Sequence, residues 1–154
     1  MGGSAGNLMP IECPPGDGPE DAPFGFLTVC GDAKQFLGTT PVPDDYDYIN
    51  EAYGPGWTRG SLHDEGVMIA IIGVPHEEGS HTPFAVIVEF GNSTYAPYGV
   101  WVCAASIPGS PPCGTAVVDD AAKSVTLDSL WLTRFDFSGD IALTGTLYWE
   151  RQVP

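Results

Sequence analysis

Proline and glycine punctuate this chain too often for long helices: 15 prolines and 20 glycines stand among 154 residues. Proline lacks the N–H that a helix interior needs, and glycine loses the most backbone freedom on folding. Chains cut this finely fold as short strands joined by tight turns. Apolar residues at 43% of the sequence suit one packed core at this length.

The apolar pattern agrees. In Ile141–Trp149, residues Ile141, Leu143, Leu147 and Trp149 share one parity. Ala142, Thr144, Thr146, Tyr148 and Glu150 share the other, so one face belongs to a core and one to water. Phe135 and Phe137 alternate likewise, with a turn at Ser138-Gly139-Asp140. Val67–Val74 and Phe84–Phe90 are apolar on both parities, as in strands buried between two layers. The connection Pro75–Pro83 is too short for a crossover helix, which predicts antiparallel pairing. Further strand signals lie at Phe24–Cys30, Gly99–Ala104, Thr115–Val118 and Ser124–Thr133. The whole predicts an all-β fold, an antiparallel β-sandwich or jelly roll of about eight strands, as one domain over residues 24–154. Residues 1–23, with Pro14-Pro15-Gly16-Asp17-Gly18-Pro19 at their centre, read as an extended Pro/Gly-rich arm.

Four cysteines form two local pairs in sequence, Cys13 with Cys30 and Cys103 with Cys113. Three connectivities exist, and local pairing through the intervening turn-rich segments is the simplest. No C-x-x-C spacing is present and the histidines are not interleaved with the cysteines, so a zinc site is disfavoured. Disulfides belong to an oxidising, extracytoplasmic compartment: secreted, periplasmic, or on a cell or virion surface. Residues Met1–Asn7 carry neither the basic nor the apolar region of a signal peptide. No apolar run reaches the ~18 residues of a transmembrane helix, so membrane insertion is not expected.

A net charge of −15 excludes polyanionic partners. Nucleic acid and anionic membrane surfaces repel such a chain. Two readings of the acidity compete, plain solvation and carboxylates gathered for a cation. His76, Glu77, Glu78 and His81 fall in one short connection, and imidazole with carboxylate suits a divalent transition metal. His63 is a poor third ligand, because a strand of about nine residues would carry it on the order of 30 Å away. Asp44, Asp45, Asp47 and Glu51 cluster in the loop-rich stretch 38–60, where oxygen ligands suit calcium but no EF-hand spacing exists. Tyr46, Tyr48, Tyr53 and Trp57 in that stretch form a candidate platform for a carbohydrate or protein ligand. The plainer reading of each set is an exposed polar loop or core aromatics.

Catalytic signatures are sparse. No nucleophile elbow, phosphate-cradling glycine loop or H-E-x-x-H helix occurs. Glu89 and Glu150 are a conceivable glycosidase pair, with no spacing to support it. Asn92-Ser93-Thr94 matches a glycosylation sequon that carries meaning only in some hosts. The expectation is therefore a non-enzymatic extracytoplasmic binding or adhesion module, assisted by calcium or another divalent cation. The alternatives are a structural subunit of a virion or other assembly, homo-oligomeric through the arm, and a small metal-dependent or glycoside hydrolase.

Overall fold

A computed structural model describes residues 12–17, 22–32, 37–42, 45–50, 54–58, 67–92, 95–136 and 138–152, with the backbone alone for 45–50, 54–58, 67, 91–92 and 95–98. These residues hold no helix. The strands are β1 (Gly25–Gly31), β2 (Gly38–Pro41), β3 (Asp45–Asn50), β4 (Gly54–Thr58), β5 (Val67–Ile72) and β6 (Gly79–His81). They continue as β7 (Ala85–Asn92), β8 (Tyr95–Ala104), β9 (Ala116–Asp119), β10 (Ser124–Arg134) and β11 (Asp140–Tyr148). All pairings are antiparallel, in the order β2-β1-β11-β10-β8-β7-β5-β4-β3, with β9 beside β10 and β6 beside β9.

The described strands form one sheet where the sequence predicted the facing layers of a sandwich or jelly roll. A flat sheet leaves both faces wet, yet Leu27 on β1, Ile69 on β5 and Leu130 on β10 are fully buried in a single cluster. The sheet curls into a half-barrel and packs its inner face against itself. Eleven strands replace the expected eight or so because β2, β3, β4 and β6 lie in stretches rich in proline, glycine and charge. Backbone pairing holds those strands where apolar alternation is absent.

Strand β10 sets the inner face. Its apolar residues Val125, Leu127, Leu130 and Leu132 are all fully buried, but their spacing breaks at the middle. Side chains alternate with period two, so an unbroken strand would turn Leu130 and Leu132 outward. A bulge between Leu127 and Leu130 restores the phase, leaving Asp128 and Ser129 opposite Thr144. Ser129 accordingly takes the left-handed conformation, φ 51°. Its freed N–H donates to the Thr144 hydroxyl at 2.8 Å.

The described part of the arm docks beside that bulge, on the outer face. Cys13 is buried and bonded to Cys30. Its N–H donates to Ser129 Oγ at 3.1 Å, and its carbonyl accepts from Thr144 Oγ1 at 2.6 Å. Gly16 N–H donates to Thr28 Oγ1 at 2.9 Å, and Thr28 in turn shares a hydrogen bond with Thr39. Residues 12–17 thus form a strap across β10, β11, β1 and β2. Ala142 and Thr144, expected to face water, are buried there. The rest of the arm, residues 1–11 and 18–21, lies outside the described residues.

The second disulfide, Cys103–Cys113, closes the link between β8 and β9. Both strands flank β10 on the same side, β9 along Ser124–Leu127 and β8 at Thr133–Arg134. The chain must therefore leave the sheet and return, and Ala104 N–H anchors that excursion on Ser110 Oγ and Pro111 O, each at 2.9 Å. Both disulfides have the local pairing that the sequence favoured.

Removing the Thr144 hydroxyl leaves Ser129 N–H and Cys13 C=O without partners in a buried place. Thr144→Val is expected to lower unfolding stability by about 1–3 kcal/mol. Thr126→Val, at an exposed threonine pair with Thr146, should change it by less than about 0.5 kcal/mol. Urea denaturation with the disulfides intact measures both, and equal losses would contradict the docking role.

Candidate functional site

Two places carry the chemistry that the sequence singled out, together with one that it did not. The first is the corner where the β5–β7 connection meets the β9–β10 turn and the chain leaving β11. Pro75–Pro83 is not a free hairpin tip. Its strand β6 pairs with β9, Gly79 opposite Val118 and His81 opposite Ala116. The β9–β10 turn is closed by Asp119, whose carboxylate accepts from Ala122 N–H at 3.1 Å. Glu78 Oε1 accepts from Asp120 N–H at 3.0 Å, tying the two elements together. Lys123, at φ 58°, offers its carbonyl to Trp149 N–H at 3.0 Å and its ammonium to Asp120 at 3.4 Å.

His76 lies half-buried in this corner, its ring stacked on Trp149 with centroids 3.9 Å apart and planes 3° from parallel. Trp149 packs its indole against the main core. Burial holds the His76 imidazole below its ordinary value, against an upward pull from Asp120 and with a smaller downward push from Lys123. His81 turns elsewhere: its Nε2 donates to the Glu77 carbonyl at 2.7 Å. Glu77 itself is exposed. So His76 meets a ring, His81 a main-chain carbonyl and Glu78 a backbone amide. Among the described residues, no three or more histidine, cysteine, aspartate or glutamate side chains form a group disposed to hold a metal.

The second place is the β3–β4 hairpin, described as backbone. Asp45 and Asp47 belong to strand β3 rather than to a loop, opposite Thr58 and Gly56. Tyr46 stands in register with Trp57, and Tyr48 with Pro55. Asp44, Glu51 and Tyr53 lie outside the described residues, as do His63 and the last two residues of the Asn92 sequon. Glu89 and Glu150 belong to different parts of the sheet. Glu89 stands on β7 and Glu150 follows β11, with β10 and β8 between those strands.

The third place is the outer face, which divides into two halves. Under the strap, β11 and the first half of β10 turn outward Ser124, Thr126, Thr144 and Thr146. Beyond it, Met68, Ala70 and Ile72 are the outward residues of β5, alternating with buried Ile69 and Ile71. By the same alternation β7 presents Ala85, Ile87 and Glu89, and β8 presents Val100, Val102 and Ala104. One charge, Glu89, stands among those nine outward positions. Ile72, Ile87 and Ile107 are half-buried around Ala85, Val102 and Ala104, forming an apolar cluster separate from the main core. Phe135 extends this surface, its N–H bonded to Val100 O while the residue stays 64% exposed. Sequence reading missed it as a site, although the signal was present: both parities of β5 and β7 are apolar.

The chain matches no protein-family model, no curated protein and no solved structure.

The His76 shift has a sign. Its imidazole takes up a proton more readily in the unfolded chain, so protonation favours unfolding. This contribution to stability is intact above the unfolded value near 6.5 and is lost as pH falls through the lower folded one. The melting temperature is expected to drop between pH 7.5 and 5, and His76→Gln should flatten that part of the profile. An unchanged slope in the variant would remove His76 from the account.

Proposed function

We propose that this protein is an extracytoplasmic, disulfide-stapled β-module that acts by binding rather than by catalysis. The outer face of β5, β7 and β8, with Phe135 at its margin, is its contact surface. The observation that carries this reading is the outer face itself. Eight of nine outward positions are apolar, five of them half-buried and three, Ala85, Val102 and Ala104, buried, whereas the neighbouring half of the same face is hydroxyl-lined. Water-facing strand positions are ordinarily polar, and contiguous exposed apolar area marks contact sites. The two disulfides support an oxidising, extracytoplasmic setting. Among the described residues no helix is long and apolar enough to cross a membrane.

The sandwich architecture enters here as well. Strands apolar on both sides suit a second packed layer, and the inner face has one through the curl of the sheet. On the outer face Ala85, Val102 and Ala104 are covered within the chain, and the half-buried positions around them obtain their cover on binding. Calcium belongs to this reading through Asp44, Asp45, Asp47 and Glu51, in or beside β3.

A hydrophobic dye such as anilinonaphthalene sulfonate tests the surface in dilute protein with its disulfides intact. We expect enhanced dye emission, reduced severalfold by Ile87→Glu in a variant that melts cooperatively. Dye emission that is absent, or equal in both proteins, would defeat the reading. In the same series, calcium should raise the melting temperature relative to EDTA by more than about 2 °C if it binds the native state. Coincident melts would remove the cation from the proposal.

A further inference from the structure

The strap has a direction, and it points at the apolar half of the outer face. Gly16 is held on β1, where Thr28 links on to Thr39 of β2. Cys13 is held further along, its carbonyl on Thr144 of β11 and its N–H on Ser129 of β10. Followed backwards, the chain crosses β2, β1, β11 and β10 in sheet order, and the next strands in that order are β8, β7 and β5. On the outer face these strands present the row Ala104, Ala85 and Ile72, in mutual register. Passing from β10 to β5 takes about 14 Å at about 4.8 Å per strand. The residues from Glu12 back to Leu8 span about 16 Å when extended.

The composition of that segment suits the path. None of the chain's 20 acidic residues lies in residues 1–11, so the segment brings no like charge to the Glu89 carboxylate on that face. Leu8, Met9 and Ile11 are apolar. Cys13 is buried and Glu12 exposed, so in an extended chain Ile11 and Met9 share the parity of Cys13, the one turned to the sheet. Trp131 stands at the crossing, outward on β10 and opposite Ala142. Its indole N–H is shut off from water, with no acceptor among the described residues. A buried indole N–H ordinarily has a partner, and a passing main-chain carbonyl supplies one.

Resting on the contact surface proposed above, we propose that residues 8–11 of this same chain occupy its margin. They carry the strap on across β8 and β7, with Met9 and Ile11 toward Ile72, Ile87 and Ile107. Those three isoleucines are the half-buried rim around Ala85, Val102 and Ala104. Because the segment is tethered, a small contact suffices where two free molecules would need far more area. One extended segment covers a lane about one strand wide. The row Met68, Glu89 and Val100 lies outside that lane and stays open, as does Phe135. The segment is a tethered cover on part of the face, and a partner that takes the whole face must displace it.

Photocrosslinking from p-benzoylphenylalanine in place of Met9 tests the cover in the full chain, disulfides intact, at about 1 µM, where weak pairs stay apart. Cross-linked monomer is expected, joining position 9 to peptides within 67–72, 85–92 or 99–107. Cross-links only to other parts of the sheet, only between two molecules, or none at all overturn the proposal. Dye emission gives a second readout. Met9→Ser combined with Ile11→Ser should raise it severalfold over the unaltered chain, and Ile87→Glu should remove the gain. Equal emission before and after the double substitution overturns the cover and leaves the contact surface standing. Emission found only in the doubly substituted chain upholds the cover and overturns the open contact surface. Emission absent from both proteins overturns both.

Discussion

The phase of one strand governs this fold. Strand β10 contributes four fully buried residues to the inner face, and they share that face only because Asp128 and Ser129 occupy the space of one residue. Each buried leucine contributes about 1.5–3 kcal/mol, so holding Leu130 and Leu132 inward outweighs the cost of a left-handed serine, of order 1–3 kcal/mol. The bulge then creates the dock. It frees an N–H from the ladder and sets Ser129 Oγ beside Thr144, and the Cys13 backbone meets both hydroxyls. Core packing on one face and strap docking on the other are consequences of the same extra residue.

That coupling explains which parts of the structure could be read from sequence. The alternation in β11 was plain because Ile141, Leu143 and Leu147 answer to a single packed face. Even there Gly145 interrupts the pattern. A Cβ at that position would strike the Phe26 carbonyl and stand 2.9 Å from a Leu27 methyl, so β1 fills the space instead. Disulfide pairing was legible too, since each pair brackets a turn-rich segment. Strands β2, β3, β4 and β6 were not, because they are held by backbone ladders that ask little of the side chains along them.

The candidate sites divide along the same line. His76 and Trp149 are distant in sequence, and no spacing rule links a loop imidazole to an indole beyond the last strand. The acidic and aromatic residues near β3 were visible as types, but composition could not tell a loop from a hairpin. The outer apolar face was legible as pattern and obscure as meaning. Residues apolar on both parities signal two covered faces, and a single chain's sequence does not say where the second cover comes from.

The strap has a mechanical consequence. Tension applied to the chain ahead of Cys13 passes through a covalent bond into Cys30, within β1 and alongside β11. The segment between the two cysteines is bypassed and bears no load. Force therefore enters the sheet at Cys30, the penultimate residue of β1 and opposite Ala142, while Gly25–Val29 lie within the bypassed segment. Reduction of that single bond would reroute the force along the segment and deliver it to the opposite end of β1, at Gly25.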